Sequence, residues 1–207
     1  RAIASESENQ IDNLDIYVFA ATADGGDYQY LETWKAAAED NTAAKTFKLS
    51  GAGTDRKASI FPTELKGIPN LKLYCVANST TLYQADGTAI APLTAVTTNA
   101  ATGAIETEGT KATDFEKYFT AKLLPTGTAL GTLLVMTGSG TTKILGNIAT
   151  VNIELKRRVS RFDIDNESAK TGLIIESVSL GNGRNQSTVM PGTLAELDPA
   201  GRTASLI

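Results

Sequence analysis

The sequence predicts a mainly β protein with β-sandwich architecture. Short apolar segments alternate with a period of two, threonine and glycine are abundant between them, and helical spacing is sparse. Hydrophobic residues make up 42% and charged residues 20% of the chain, which is typical of folded globular proteins. We therefore expect sheets packed around a substantial core.

The two strongest strand patterns lie in the first half of the chain, at residues 11–20 and 71–78. In residues 11–20 apolar side chains occupy both faces, so we expect a central strand that is covered on both sides. Residues 71–78 follow a Gly-Ile-Pro-Asn turn and form the second strand. The side chains expected in the core of these strands are Leu14, Ile16, Val18, Leu71 and Leu73.

A tight turn at residues 24–27 joins the first strand to a hairpin partner at residues 28–34. A regular strand here would place Tyr28, Tyr30 and Trp34 on one side. Such an aromatic row forms either part of the core or a platform on which sugar rings stack. Core packing is the favoured interpretation, and the platform is the alternative.

Shorter elements fill the remaining intervals. We expect a helical turn at residues 35–40, strands at 46–49 and 58–61, irregular structure over 80–113, an amphipathic helix at 114–124, and a strand at 133–137 followed by a turn at 138–140. Strands rather than helices should therefore supply most of the core.

A second β unit is predicted to begin near residue 151, because Val151, Ile153 and Leu155 alternate with polar residues. We place an N-terminal sandwich of transthyretin- or immunoglobulin-like type at residues 1–148 and the start of a second sandwich at 149–207. A seven-stranded sandwich needs roughly 100 residues. The second unit is therefore incomplete, and it is either part of a longer chain or completed by another chain.

A basic cluster follows this segment, and it consists of Lys156, Arg157, Arg158 and Arg161. On an extended strand these side chains divide between two faces, so a charged strand edge or ion pairing is favoured over an anion site. Acidic residues at 163–167 lack the glycine and the twelfth-position acid of a helical calcium loop. We therefore expect no metal site.

The composition argues against several classes of function. The chain has no histidine, which is the commonest general base near neutral pH, and its single cysteine, Cys75, lies in an apolar run. We expect neither enzyme activity nor a cofactor. The net charge of -4 argues against nucleic acid as a partner, and no apolar segment of the sequence is long enough for a transmembrane helix.

Three of these patterns occur together in a known family. Leu-Asp-Ile-Tyr-Val-Phe at 14–19, Leu-Lys-Leu-Tyr-Cys-Val-Ala-Asn at 71–78 and Val-Asn-Ile-Glu-Leu-Lys-Arg-Arg-Val-Ser-Arg-Phe at 151–162 resemble the fimbrillins, the type V pilins of Bacteroidales-type bacteria. The resemblance implies a structural subunit of a surface fimbria that supports adhesion. The first two segments would belong to an N-terminal β-sandwich, and the third would open a C-terminal one.

The resemblance also implies a route of assembly. It implies export to the outer membrane and cell surface as a lipoprotein, then trimming after an arginine or lysine by a trypsin-like protease, which Arg1-Ala2 would match. Loss of the first strand would leave a groove, which a strand of another pilin subunit fills. The implied partners are other pilin subunits and a host or bacterial surface ligand. The alternative function is a cell-surface glycan-binding β-sandwich that uses Tyr28, Tyr30 and Trp34.

Overall fold

Strands dominate the computed structural model, which describes residues 9–120, 134–144, 149–158, 174, 176–177 and 187–190. The mainly β class predicted from the sequence is confirmed. The elements are β1 (Leu14–Ala21), β2 (Gln29–Ala37), β3 (Thr46–Lys48), β4 (Ser50–Ala52), β5 (Asp55–Lys57), β6 (Asn70–Ala77), β7 (Thr97–Thr98), β8 (Ile105–Thr107), α1 (Ala112–Phe115), β9 (Met136–Lys143) and β10 (Lys156–Arg157). Within these ranges α1 is the only α-helix, and its four residues are far too few to cross a bilayer.

One six-stranded sheet organises the structure, in the order β10-β9-β6-β1-β2-β3. Neighbouring strands are antiparallel except for β2 and β3, which are parallel. The centre of the sheet is the pairing of β1 with β6, which matches eight residues without a register shift. β4 with β5 and β7 with β8 form two separate two-stranded sheets.

Both faces of the sheet are covered, as the apolar pattern of β1 predicted. Face A carries Leu14, Ile16, Val18 and Ala20 of β1 and Leu71, Leu73, Cys75 and Ala77 of β6. Face B carries Tyr17, Phe19 and Ala21 of β1 and Tyr74 and Val76 of β6. Because alternate residues of one strand enter opposite cores, β1 and β6 anchor the elements that pack on both faces of the sheet.

Face B is built around the fully buried ring of Phe115 at the end of α1. Its ring centroid lies 4.8 Å from that of Tyr17 and 5.1 Å from those of Phe19 and Tyr74. The rings meet at tilted angles, an arrangement that avoids face-to-face repulsion. A helix too short to be stable alone is therefore held by the burial of Phe115 and Ala112 and by the hydrogen bond from the Ala112 N–H to the Tyr28 carbonyl at 2.8 Å.

Face A is covered near β9 by a chain segment that crosses above it, residues 149–155, here called the crossing segment. Its side chains Val151, Ile153 and Leu155 are half-buried against the face A core. It passes over Gly138 and Gly140 of β9. A Cβ atom at Gly138 would lie 2.3 Å from the carbonyl oxygen of Glu154. The turn predicted at residues 138–140 is therefore wrong, since these glycines lie inside a strand and make room for a crossing backbone.

The row predicted for Tyr28, Tyr30 and Trp34 is also wrong, because β2 contains a bulge. The register passes from Val18 opposite Glu32 to Phe19 opposite Tyr30, which leaves Leu31 as an extra residue. At the bulge the even-numbered residues of β2 change from face B to face A. Both tyrosines consequently face B, whereas Trp34 faces A.

Three shorter predictions also differ from the structure. The helical turn expected at residues 35–40 is absent because β2 continues to Ala37, where β3 pairs with it. Residues 58–61 form no strand. The helix expected at 114–124 begins earlier and ends at Phe115, because the backbone of Phe119 exchanges two 2.8 Å hydrogen bonds with Tyr83 instead of continuing the helix. Residues 121–124 lie outside the described ranges.

The boundary predicted between residues 148 and 149 stays a prediction, since most of 159–207 lies outside the described residues. Within the described part, β10 joins the edge of the six-stranded sheet.

Replacement of Phe115 tests the aromatic core of face B. Phe115→Ala is expected to lower the free energy of unfolding by about 3–5 kcal/mol, because it leaves a large cavity among the rings of Tyr17, Phe19 and Tyr74. Phe61→Ala is the matched control, since Phe61 is 63% exposed, and should change stability by less than about 0.5 kcal/mol. Denaturant unfolding measures both, and equal effects would contradict this assignment of the core.

Candidate assembly site

All the residues predicted to form the strand and groove core lie on one face of the sheet. Face A brings together Leu14, Ile16, Val18, Leu71, Leu73, Val151, Ile153 and Leu155. The first five are buried, whereas the three in the crossing segment are half-buried. Face A is therefore the candidate location of an assembly surface.

An open groove of about 290 Å³ lies at one end of face A. Its apolar lining includes Ala20 of β1, Leu31 of β2, Leu71 of β6 and Ile144 just after β9. Its other wall is the strap, here defined as residues 63–69, which leads into β6. An apolar cleft of this size can hold one or two side chains of a partner.

The strap is fastened to the sheet by the carboxylate of Glu32, a buried residue next to the β2 bulge. One oxygen accepts hydrogen bonds from the Trp34 indole N–H at 2.6 Å and the Thr63 amide at 3.2 Å. The other accepts from the Lys45 ammonium at 2.5 Å and the Thr63 hydroxyl at 2.7 Å. Three separate chain segments therefore meet at one side chain.

This arrangement determines the charge state of Glu32. Burial alone would raise the pKa of its carboxyl, but the hydrogen bonds from Lys45, Thr63 and Trp34 outweigh burial and hold the pKa below its usual value. Glu32 is thus ionised near neutral pH and can accept all four hydrogen bonds.

The outer edge of β9 is the second feature of the site. Ile144 donates its backbone N–H to the carbonyl of Pro69 at 2.9 Å, in the same register that pairs β9 with β6. Since hydrogen-bonded pairs alternate along an antiparallel ladder, the even-numbered residues of β9 bond to β6. At the other edge, the N–H of Arg158 bonds to the carbonyl of Val135 at 2.9 Å, which gives the same alternation.

The backbone N–H and C=O groups of Ser139, Thr141 and Lys143 consequently point away from β6, toward the outer edge. β10 pairs only with Met136 and Thr137 on that side. Among the described residues, no strand pairs with β9 from Ser139 to Lys143. Within the described ranges, this edge of the sheet is therefore open over five residues.

The opposite edge of the sheet is covered. The carbonyl of Tyr30 accepts a hydrogen bond from the N–H of Val96 at 2.7 Å, and its N–H donates to Thr110 at 2.8 Å. Farther along β2, the N–H of Lys35 bonds to the carbonyl of Lys45 at 2.9 Å, and β3 continues the pairing. The contrast between the two edges makes the β9 edge the candidate site for an added strand.

The aromatic residues of the alternative glycan site lie in the two cores. Trp34 is 1% exposed and Tyr28 is 7% exposed. Because Trp34 lies on the opposite face of the sheet from Tyr28 and Tyr30, the three rings form no common platform. Their packing agrees with the core interpretation.

The basic cluster connects chain segments. Arg157 donates to the Asn9 side chain at 2.7 Å, and Arg158 donates to the Ser187 hydroxyl at 3.1 Å and the Thr188 carbonyl at 3.0 Å. Lys156 lies 3.5 Å from the carboxylate of Glu154. Arg157 and Arg158 thus connect distant chain segments, whereas Lys156 makes a local ion pair. Arg161 lies outside the described ranges, as do the acidic residues 163–167 and Arg1-Ala2.

Asn78 has a role that the strand patterns did not reveal. It follows β6 in the left-handed conformation, with φ 61°. Its side-chain NH₂ donates to the carbonyls of Gln10 at 2.8 Å and Leu134 at 3.0 Å, and its oxygen accepts the N–H of Asp12 at 3.0 Å. Asparagine adopts the left-handed conformation more readily than most residues do. An asparagine directly after a predicted strand is therefore the one sequence signal that could have indicated this role. It joins the segment before β1 to the segment before β9.

Reactive groups are few in the described part of the chain. It contains no cluster of three or more potential metal-ligating side chains. Cys75 is 6% exposed on face A, and burial raises the pKa of its thiol to about 12. This thiol is therefore protonated and unreactive near neutral pH.

An apolar groove beside an open sheet edge is typical of structural β proteins that pair with other chains. The family model described as Major fimbrial subunit protein (FimA) matches residues 2–188 of the chain. The chain therefore belongs to this family, which confirms the resemblance to the fimbrillins. It is a structural subunit of a cell-surface fimbrium, a polymer made with other subunits. No curated protein and no solved structure matches the chain.

Acidification tests the Glu32 contact. Because the folded-state pKa of Glu32 is depressed, its ionisation stabilises the fold above its unfolded pKa of about 4.3, and this contribution is lost as pH falls through the folded value. Glu32→Gln should lower the free energy of unfolding by about 1–3 kcal/mol at neutral pH. The difference between wild type and variant should shrink steadily below about pH 5.

Glu64→Gln is the control, since Glu64 is an exposed carboxylate in the same strap. Denaturant unfolding at several pH values measures all three proteins. A difference between wild type and Glu32→Gln that does not change with pH would contradict the proposed charge state.

Proposed function

We propose that this fimbrial subunit polymerises by strand addition, and that an extended strand of another subunit pairs with β9 from Ser139 to Lys143. The observation that carries the proposal is the open edge, where three residues direct N–H and C=O groups outward. An added strand would satisfy these groups and extend the sheet. The covered edge at β2 and β3 offers no comparable length.

The groove supports the same proposal because it lies where the open edge ends. β9 ends at Lys143, and the next residue, Ile144, lines the groove together with Pro69. A strand running along β9 toward Ile144 would carry one of its alternate side chains to the mouth of this cleft. Backbone pairing would then supply affinity, and the apolar cleft would supply selectivity for particular side chains.

Export and maturation form the remaining part of the proposal. Membership of the family supports export as a lipoprotein and trimming by a trypsin-like protease, for which Arg1-Ala2 is the matching dipeptide in this chain. It equally supports a role in adhesion to a host or bacterial surface ligand. In this scheme trimming precedes strand addition, and the subunit enters the fimbria with its acceptor edge exposed.

A proline in the open edge tests strand addition. Thr141→Pro removes an outward-facing N–H but leaves the bonds to β6, which come from Gly140 and Thr142. Proline is tolerated at a free strand edge, so the subunit should fold. Because the ring blocks an incoming strand and one donor is lost, we expect the yield of sedimentable fimbriae per total subunit to fall about tenfold or more.

Thr141→Val is the matched control, since it retains the N–H and has a similar side-chain volume. It should assemble as wild type does. Circular dichroism and unfolding curves establish that both variants are folded. A folded Thr141→Pro subunit that forms fimbriae at the wild-type yield would overturn the assignment of the acceptor edge.

A further inference from the structure

The crossing segment leaves the β9 ladder after only two pairs. Lys156 lies opposite Thr137 and Arg157 lies opposite Met136. From Leu155 back to Val151 the chain instead lies above face A. The contact is close: a Cβ at Gly140 would be 2.6 Å from Cγ2 of Val151 and 3.0 Å from Cγ1 of Ile153.

The same register can continue along the whole open edge. Continuing it would place Glu154 opposite Ser139, Ile153 opposite Gly140 and Val151 opposite Thr142. Residues directly opposite in a ladder share a face, so Val151, Ile153 and Leu155 would still project toward face A. The crossing segment can therefore move from above face A to the edge of β9 without turning these three side chains to the other face of the sheet.

We propose that the crossing segment has a second, closed position, in which residues 151–155 pair with β9 and occupy the edge that accepts a strand during assembly. This inference rests on the proposed function, because it describes how the same edge is regulated. In the closed position the subunit covers its own edge, which prevents indiscriminate pairing before assembly. In the open position, which the structure shows, the edge is available to a strand of a second copy of this chain.

Gly138 and Gly140 favour the open position. A Cβ atom at Gly138 would collide with the carbonyl oxygen of Glu154, and a Cβ atom at Gly140 would collide with Cγ2 of Val151. In the closed position the crossing segment would lie beside β9, and a methyl group on either residue would meet no atom of that segment from above. Glycine at these two positions therefore keeps the edge accessible.

A pair of cysteines detects the closed position directly. Ser139 lies opposite Tyr74, so its side chain points to face B, whereas the crossing segment lies over face A. Ser139→Cys combined with Glu154→Cys should therefore form a disulfide only in the closed position, where the two residues are directly opposed. The native Cys75 is buried and does not compete.

Ser139→Cys combined with Lys156→Cys is the matched control. Lys156 is opposite Thr137 in both positions, so this diagonal pair reports the background rate of disulfide formation. The unassembled subunit is oxidised with copper phenanthroline, and the disulfide is quantified by peptide mass spectrometry. We expect at least about fivefold more disulfide in the Glu154 pair than in the control, since directly opposed Cα atoms are about 5.5 Å apart. Equal yields would overturn the closed position.

Gly140→Ala shifts the balance toward the closed position, because the added methyl collides with the crossing segment only in the open one. The rate of amide hydrogen exchange at Ser139 and Thr141, whose N–H groups point to the outer edge, should fall about tenfold in the unassembled variant. Ser139→Ala is the control, since its side chain lies on the opposite face. An unchanged or faster exchange rate in a folded Gly140→Ala subunit would contradict the inference.

The outcomes separate the two proposals. Normal assembly of Thr141→Pro would contradict strand addition at this edge, whatever the disulfide yield. If assembly of Thr141→Pro is blocked and the Glu154 pair gives only the background disulfide yield, the acceptor edge is supported and only the closed position is contradicted.

Discussion

The structure depends on one steric constraint, the absence of side chains at Gly138 and Gly140. Because these residues are glycine, a second stretch of backbone can lie directly on the face of β9. That stretch then delivers Val151, Ile153 and Leu155 to the core without joining the sheet. With the crossing segment in this position, no strand of the described part of the chain pairs with the outer edge of β9 from Ser139 to Lys143. A larger residue at either glycine would force the crossing chain elsewhere and change both the core and the edge.

The bulge in β2 is a second local device with effects on both faces. The extra residue, Leu31, lines the groove, and the reversal after it directs Trp34 to face A while Tyr30 remains on face B. Glu32 is thereby placed where a buried carboxylate can bind the strap. One inserted residue thus connects the groove, the strap and the aromatic core.

The predictions that succeeded rest on alternation along uninterrupted strands. β1 and β6 have apolar residues on both faces, and their pairing matches eight residues, so Leu14, Leu71 and their neighbours could be placed from the sequence. The predictions that failed involve residues whose conformation is decided by distant contacts. A Gly-Ser-Gly sequence inside a strand resembles a turn sequence until the position of the crossing backbone is known. The bulge in β2 cannot be recognised from the alternation of side chains along β2 itself. The open edge was not predictable either, because it depends on which residues of β9 have a partner strand on their outer side.

The burial of Cys75 affects how the assembled fibre meets its surroundings. A subunit of a cell-surface fimbrium is exposed to oxygen, peroxides and thiols outside the cell. The only thiol of this chain lies in the face A core, on β6, and burial holds it in its protonated form. The fibre therefore offers no sulfur at these positions for oxidation to sulfenic acid or for mixed disulfides. The fold of the subunit should be equally stable under oxidising and reducing conditions.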